Sequence, residues 1–402
     1  MTKFALLTLD PGHFHAALLQ KEMYPDVSPR VHVYAPLGPD LIAHLNRIAA
    51  FNQRAGNPTA WEIEVHAGPD YLERLARERP GNVAVIAGRN RGKIDRIRAC
   101  LDAGLHVLAD KPWIIEAADL PKLQAALAAA EARGLVAYDI MTERFEITSI
   151  LQRELVADPE VFGEPVEVTM ESIHHLAKTV AGAPLLRPPW FFDIHEQGEG
   201  LTDVGTHLVD LAAWILFPEQ PIDYRTEVEV RNARRWPTVL SAGDFARVTG
   251  ATGPPLDYFC NTEVSYAVRG VPVKLNVLWN FEAAPGAGDT HRAVYRGTRA
   301  QIEVRDGELR ILGAPADALR RRVEALAAQY PGIGVDGPRI TIPARYQVGH
   351  EAHFAQVARR FFDYLRQPAS LPAWEKPNML AKYYVTTQGV ELARAAGRSA
   401  TG

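Results

Sequence analysis

Cysteine is nearly absent from this chain: its 402 residues include only Cys100 and Cys260. Two thiols form one bridge at most, so a disulfide framework is excluded and a reducing compartment is the expectation. The run of about 20 apolar residues that a membrane helix requires is also missing. The apolar stretch at 4–9 is too short for the core of a secretory signal. Basic charge is not in excess either. Lys and Arg total 44 against 48 Asp and Glu, a formal net charge of -4, which argues against a broad nucleic-acid surface. Internal repeats and low-complexity tracts are absent. What remains, 47% hydrophobic and 23% charged, is the composition of a globular chain too long for one ordinary core. The expectation is a cytoplasmic, two-domain enzyme with no membrane or nucleic-acid partner.

Up to about residue 140, short apolar runs alternate with amphipathic stretches. Residues 4–9, 31–34, 63–66, 83–87, 106–109 and 135–138 read as strands, and 13–21, 40–52, 69–78, 92–103 and 120–133 as helices. Short buried strands separated by helices predict a doubly wound α/β domain over 1–140. Beyond it the strands lengthen and alternate, at 165–172, 262–268, 271–281, 291–295 and 301–304, with a hairpin at Arg269-Gly270. Helices at 143–157, 202–216 and 351–366 complete an α+β domain over 141–402, with 179–193 and 250–255 as loops.

Three segments carry chemistry. The first is Asp10-Pro11-Gly12-His13-Phe14-His15, between the first strand and helix, where a glycine loop would let backbone approach a dinucleotide pyrophosphate. Gly12 suits the close-approach position. Asp10 and His15 replace the outer glycines, and Tyr34-Ala35-Pro36 stands where a ribose-binding acid belongs. The second is Asp110-Lys111-Pro112, at the carboxyl end of a buried strand. There Lys111, on a turn stiffened by Pro112, either steadies an oxyanion or pairs with a carboxylate. The third is 201–216, whose helical spacing puts Asp203, His207, Asp210 and Trp214 on one stripe of an otherwise apolar helix. Asp203 at i−4 can orient His207 as a general base. The same stripe could ligate a metal, but no HExxH or cysteine cluster supports it and no metal is assigned. Arg89, Arg91, Lys93, Arg96 and Arg98 read as a solvated face or a phosphate contact. His174, His175 and the aromatic run Trp190-Phe191-Phe192 read as substrate contacts or as ordinary packing.

In order and spacing, 103–107 leading to Asp110-Lys111-Pro112, then Arg144-Phe145, then Asp203-Val-Gly-Thr-His207-Leu-Val-Asp210 resemble the glucose-fructose oxidoreductase / inositol dehydrogenase / MocA family. The resemblance implies a Rossmann-like domain joined to a large, mainly antiparallel open-faced sheet that pairs subunits into a homodimer or homotetramer. It implies NAD or NADP as cofactor and a sugar or polyol as substrate. It implies Lys111, Asp203 and His207 as the catalytic trio, with Gly12, His13, Phe14, Gly88, Arg89, Asn90, Asp110 and Lys111 at the cofactor and Arg144, His174, His175, Trp190 and Asp210 at the substrate. Asp110 stands where the family usually has Glu, and Gly88-Arg89-Asn90 replaces a Thr-Pro-Asn turn. The expected activity is hydride transfer from a hydroxyl-bearing carbon. Two alternatives are a lyase, epimerase or glycosidase-like enzyme that holds NAD tightly, and a non-catalytic sugar-binding protein.

Overall fold

The computed structural model describes residues 3–180, 183–284 and 287–399. In chain order the elements of the amino-terminal half are β1 Leu6–Leu9, α1 His15–Leu18, β2 Arg30–Ala35, α2 Pro39–Gln53, β3 Glu62–Ala67, α3 Tyr71–Glu78, β4 Val83–Ile86, α4 Lys93–Asp102, β5 His106–Asp110, α5 Leu120–Ala132 and β6 Ala137–Ile140. There follow α6 Ile147–Val156, β7 Pro165–Ala177, β8 Thr179–Val180, β9 Ala183–Pro184, α7 Gly205–Leu216, α8 Tyr224–Glu227, β10 Val228–Leu240, α9 Ala242–Thr249, β11 Leu256–Val268, β12 Val271–Glu282, β13 Thr290–Gly297, β14 Gln301–Arg305 and β15 Glu308–Leu312. The last are α10 Ala316–Gln329, β16 Gly334–Asp336, β17 Arg339–Thr341, α11 His350–Arg366 and α12 Glu375–Ser399.

Two units emerge. The first comprises 1–114, 118–142 and 350–372. Its six strands run parallel in the order β3-β2-β1-β4-β5-β6. The central strands β1 and β4 are buried at every position, as a sheet covered on both faces requires. The helices are punctuated by the expected residues: Pro39 opens α2, and Gly104, in the left-handed region at φ 82°, closes the turn after α4. The reversal of strand order beside β1 creates a switch point at the carboxyl edge of the sheet.

The second unit comprises 115–117, 143–349 and 373–402. Its nine-stranded sheet runs β10-β11-β12-β7-β13-β14-β15-β17-β16, antiparallel throughout except for the parallel pair β12–β7. Arg269 and Gly270 both take positive φ, 50° and 81°, the two-residue turn that matches strand twist, so the expected hairpin forms. Helices α6, α7 and α12 contribute to the core of this unit.

One expectation needs correction, and one strand was missed. The segment 350–372, placed in the second domain by sequence, belongs to the first unit, because Phe354, Phe361 and Phe362 bury their rings there, Phe362 against Phe4 and Tyr24. Strand β10 escaped notice because it carries three arginines and Pro237. It is the sheet's edge, bulged at two places, where charge and proline are tolerated.

Candidate functional site

The crevice-forming loops of the first unit follow β1, β4 and β5. Asp10 sits at φ 47°, so it takes the left-handed backbone that a first glycine would supply, a region short polar residues enter most readily. Its carboxylate, awkward beside a phosphate, lies 3.7 Å from the Arg96 guanidinium. The loops after β1 and β4 touch directly: the His13 amide donates to the Ala87 carbonyl, and a Cβ on Gly88 would run into the Asp10 carbonyl oxygen. Phe14 is exposed and Arg89 half-buried. Asp40, in the first turn of the helix that follows β2, lies 3.6 Å from Arg89.

His15 fills the place of the third glycine and turns inward. Its Nδ1 lies 2.9 Å from Asp110 Oδ2 and its Nε2 2.8 Å from His350 Nε2, while His13 Nδ1 lies 3.2 Å from the same Asp110 oxygen. Burial pulls His15 down to about 4 against the opposing pull of Asp110, so this imidazole is neutral at pH 7. Burial alone would raise the Asp110 carboxyl, but the His15 and His13 rings outweigh that and hold it well below the usual carboxylate range. Lys93, read as part of a solvated face or a phosphate contact, is instead buried. Its ammonium donates to Asn90 Oδ1 at 2.5 Å and to the Asp110 carbonyl at 3.0 Å, tying the loop after β4 to the end of β5. Burial lowers it to about 8. No sequence signal separated Lys93 from the arginines around it. Lys111 follows Asp110 directly, half-buried, with Pro112 buried behind it.

In the second unit, Asp203 lies in the turn before α7 and His207 is its third residue; α7 begins three residues later than expected. The Glu199 carbonyl accepts from the Asp203 amide, and the Val204 carbonyl from that of His207. Asp210 faces a different set of groups. It accepts two hydrogen bonds from Arg144, at 2.6 and 2.7 Å, and one from Lys382 at 3.1 Å, while Arg144 also reaches Glu375 at 2.9 Å. All four are well buried, so the expected substrate contacts Arg144 and Asp210 are engaged with each other, and the metal reading of the stripe loses a ligand.

His174 and His175 lie within β7, which runs five residues further than expected. His174 stacks on Trp279 and, with His175 and Lys178, faces Asp289. Trp190, Phe191 and Phe192 are buried, the two phenylalanines against Tyr258, which is the packing alternative. Both cysteines are free, and burial pushes each thiol up to about 12, which leaves them unreactive.

A parallel 3-2-1-4-5-6 sheet together with a large, mostly antiparallel open-faced one is the two-part scaffold of the glucose-fructose oxidoreductase / inositol dehydrogenase / MocA class. Residues 151–394 match the family model described as "putative oxidoreductase C terminal domain", and the chain belongs to that family. A crystal structure of a "putative oxidoreductase" from Parabacteroides merdae superposes with a TM-score of 0.95 at 44% identity, covering 98% of both chains. Levoglucosan dehydrogenase in complex with NADH and L-sorbose shares the fold, at a TM-score of 0.66 and 16% identity, over 98% of both chains. The trans-1,2-dihydrobenzene-1,2-diol dehydrogenase of Mus musculus is 26% identical over 177 residues, 44% of this chain and 47% of the mouse protein, so the chain spans about half the length of this curated relative. Among the described residues no helix is long and apolar enough to cross a membrane.

Proposed function

We propose that the chain is an NAD(P)-dependent oxidoreductase that removes hydride from a hydroxyl-bearing carbon of a sugar or polyol. The observation that carries this reading is the switch point beside β1, onto which the loops after β1 and β4 open from one carboxyl edge, the place where open α/β sheets bind nucleotides. The residues fit a dinucleotide. Asp10 takes a glycine's backbone conformation, Gly88 lets the two loops meet, Phe14 is open to contact, and Asp40 with Arg89 offers a carboxylate and a guanidinium to a ribose. Bound there, the nicotinamide ring supplies the hydride-accepting carbon.

The chain's own residues bind, orient and move the proton. His207 accepts the hydroxyl proton, and Asp203, in the turn that opens α7, orients its ring. Lys111 donates to the substrate oxygen and offsets the negative charge that grows as that proton leaves, an electrostatic role that burial strengthens. Levoglucosan dehydrogenase and the mouse diol dehydrogenase support the substrate class by analogy. Self-association through the nine-stranded sheet belongs to the same reading, and the mass in solution tests it.

The test is steady-state turnover of Lys111→Ala and His207→Ala with a sugar the parent oxidises. Each substitution is expected to lower kcat by about 10²-fold or more. Full turnover in both variants would mean the assigned roles are wrong.

A further inference from the structure

Three side chains of the first unit converge so that both imidazoles meet one oxygen of a buried carboxylate and, among the described residues, leave its other oxygen without a partner. His13 Nδ1 and His15 Nδ1 both point at one oxygen of Asp110, at 3.2 and 2.9 Å, and the ligand atoms of the three lie within 4.8 Å of one another. The other Asp110 oxygen is buried with no hydrogen-bond partner among the described residues, although the carboxylate is only 6% exposed. The two nitrogen–oxygen separations come near the edge of a tetrahedron around a divalent cation, about 3.3 Å when each bond is about 2.0–2.1 Å.

We propose that His13, His15 and Asp110 bind a divalent transition-metal ion of the zinc class, with His350 as the positioning residue behind His15. A ligating imidazole commonly donates its other ring N–H to a second group, which fixes tautomer and orientation. His15 has such a partner: when Nδ1 gives its lone pair to the metal, the ring proton sits on Nε2 and is donated to His350 Nε2, 2.8 Å away. His13, 28% exposed, lies on the open side, where water completes the fourth position. The donor set of two nitrogens and one oxygen favours zinc, cobalt or nickel over magnesium or calcium, which take oxygen ligands. Because His13 and His15 flank the loop after β1 and Asp110 ends β5, the ion would pin that loop to the sheet without a third glycine. The site shares His13 and Asp110 with the residues that the family resemblance places at the cofactor, so the metal is scored by its own binding and the dinucleotide by a separate measurement.

The experiment is titration of the metal-stripped full chain with zinc chloride by calorimetry, and with cobalt chloride by visible absorbance, which reports tetrahedral coordination. One equivalent at micromolar affinity or tighter is expected. His13→Ala and His15→Ala should weaken it at least 10-fold, and His350→Ala about 10-fold. His13 is partly exposed, so His13→Ala keeps the test valid if a buried variant fails to fold. His32→Ala, at the separate His32/Glu64/His66 group, should leave the affinity unchanged. Absence of binding, binding that survives His13→Ala, or binding lost in His32→Ala overturns the proposal. NADH binding to the metal-stripped chain, followed by its fluorescence, reports separately on the dinucleotide reading.

Discussion

Replacing Asp210 by Asn separates a structural role for this residue from substrate contact. The carboxylate is 4% exposed and holds two buried cations, the Arg144 guanidinium through two hydrogen bonds and the Lys382 ammonium through one. The amide keeps the size but removes the charge, and only part of the Arg144 charge is then met, by Glu375. Breaking a buried pair by removing one partner costs about 3–5 kcal/mol, because the charge left behind stays desolvated. With a urea m-value of about 1–3 kcal/mol/M, the unfolding midpoint of the second unit should fall by roughly 1–5 M. Burial raises the Asp210 carboxyl, but Arg144 and Lys382 outweigh it and hold the group far below its usual range. Its contribution is therefore fully present above about pH 4 and lost only as pH falls toward the lower folded value, so pH 7 is the condition to use. Tryptophan fluorescence in urea reads the transition. Adding Lys382→Met to the variant should recover more than 1 kcal/mol, since it removes one orphaned cation. A midpoint that barely moves, accompanied by a large rise in KM for the sugar, would refute this reasoning and return Asp210 to the substrate.

Further outcomes follow from the same geometry. His44 is buried with neither ring nitrogen hydrogen-bonded among the described residues, and burial lowers it to about 4. The unfolded chain therefore binds this proton at higher pH than the folded one, and stability falls as pH drops from about 6.5 to about 4, by up to about 3 kcal/mol; His44→Leu should flatten that part of a Tm-against-pH curve. Gly88→Ala drives a methyl group into the Asp10 carbonyl, which should cost roughly 1–3 kcal/mol in a melting experiment and weaken NADH binding, measured by fluorescence, in the same variant.

The first unit was readable because its central strands β1 and β4 are short, buried apolar runs and its helices carry Gly and Pro where the backbone needs them. The six strands and five helices that precede residue 142 lie close to where the short apolar runs and the 3.6 period place them. The second unit was harder to read for a physical reason. Its edge strand β10 faces solvent and bears the charges of a surface loop, and α11 joins the first unit through phenylalanines that look like any amphipathic face. At the candidate site, sequence patterning identified the loops but not which way their side chains turn. Asp10 looked like an obstacle until its positive φ showed it doing a glycine's job, and His15 looked like a broken motif until its ring was found against Asp110. Arg144 and Asp210 belong to two separate motifs 66 residues apart, and only the fold shows that they are partners.

The central claim is that the switch-point crevice takes a dinucleotide and that the chain oxidises a sugar or polyol with it. Native mass spectrometry of the purified chain, followed by reduced-nicotinamide absorbance across a sugar and polyol panel with NAD and NADP, tests it most directly. One dinucleotide per chain is expected, with growth of the reduced-nicotinamide band for at least one sugar or polyol, abolished in Lys111→Ala and His207→Ala. A chain that carries no nucleotide, binds none of NAD, NADH, NADP or NADPH by calorimetry, and reduces neither cofactor with any panel member contradicts it.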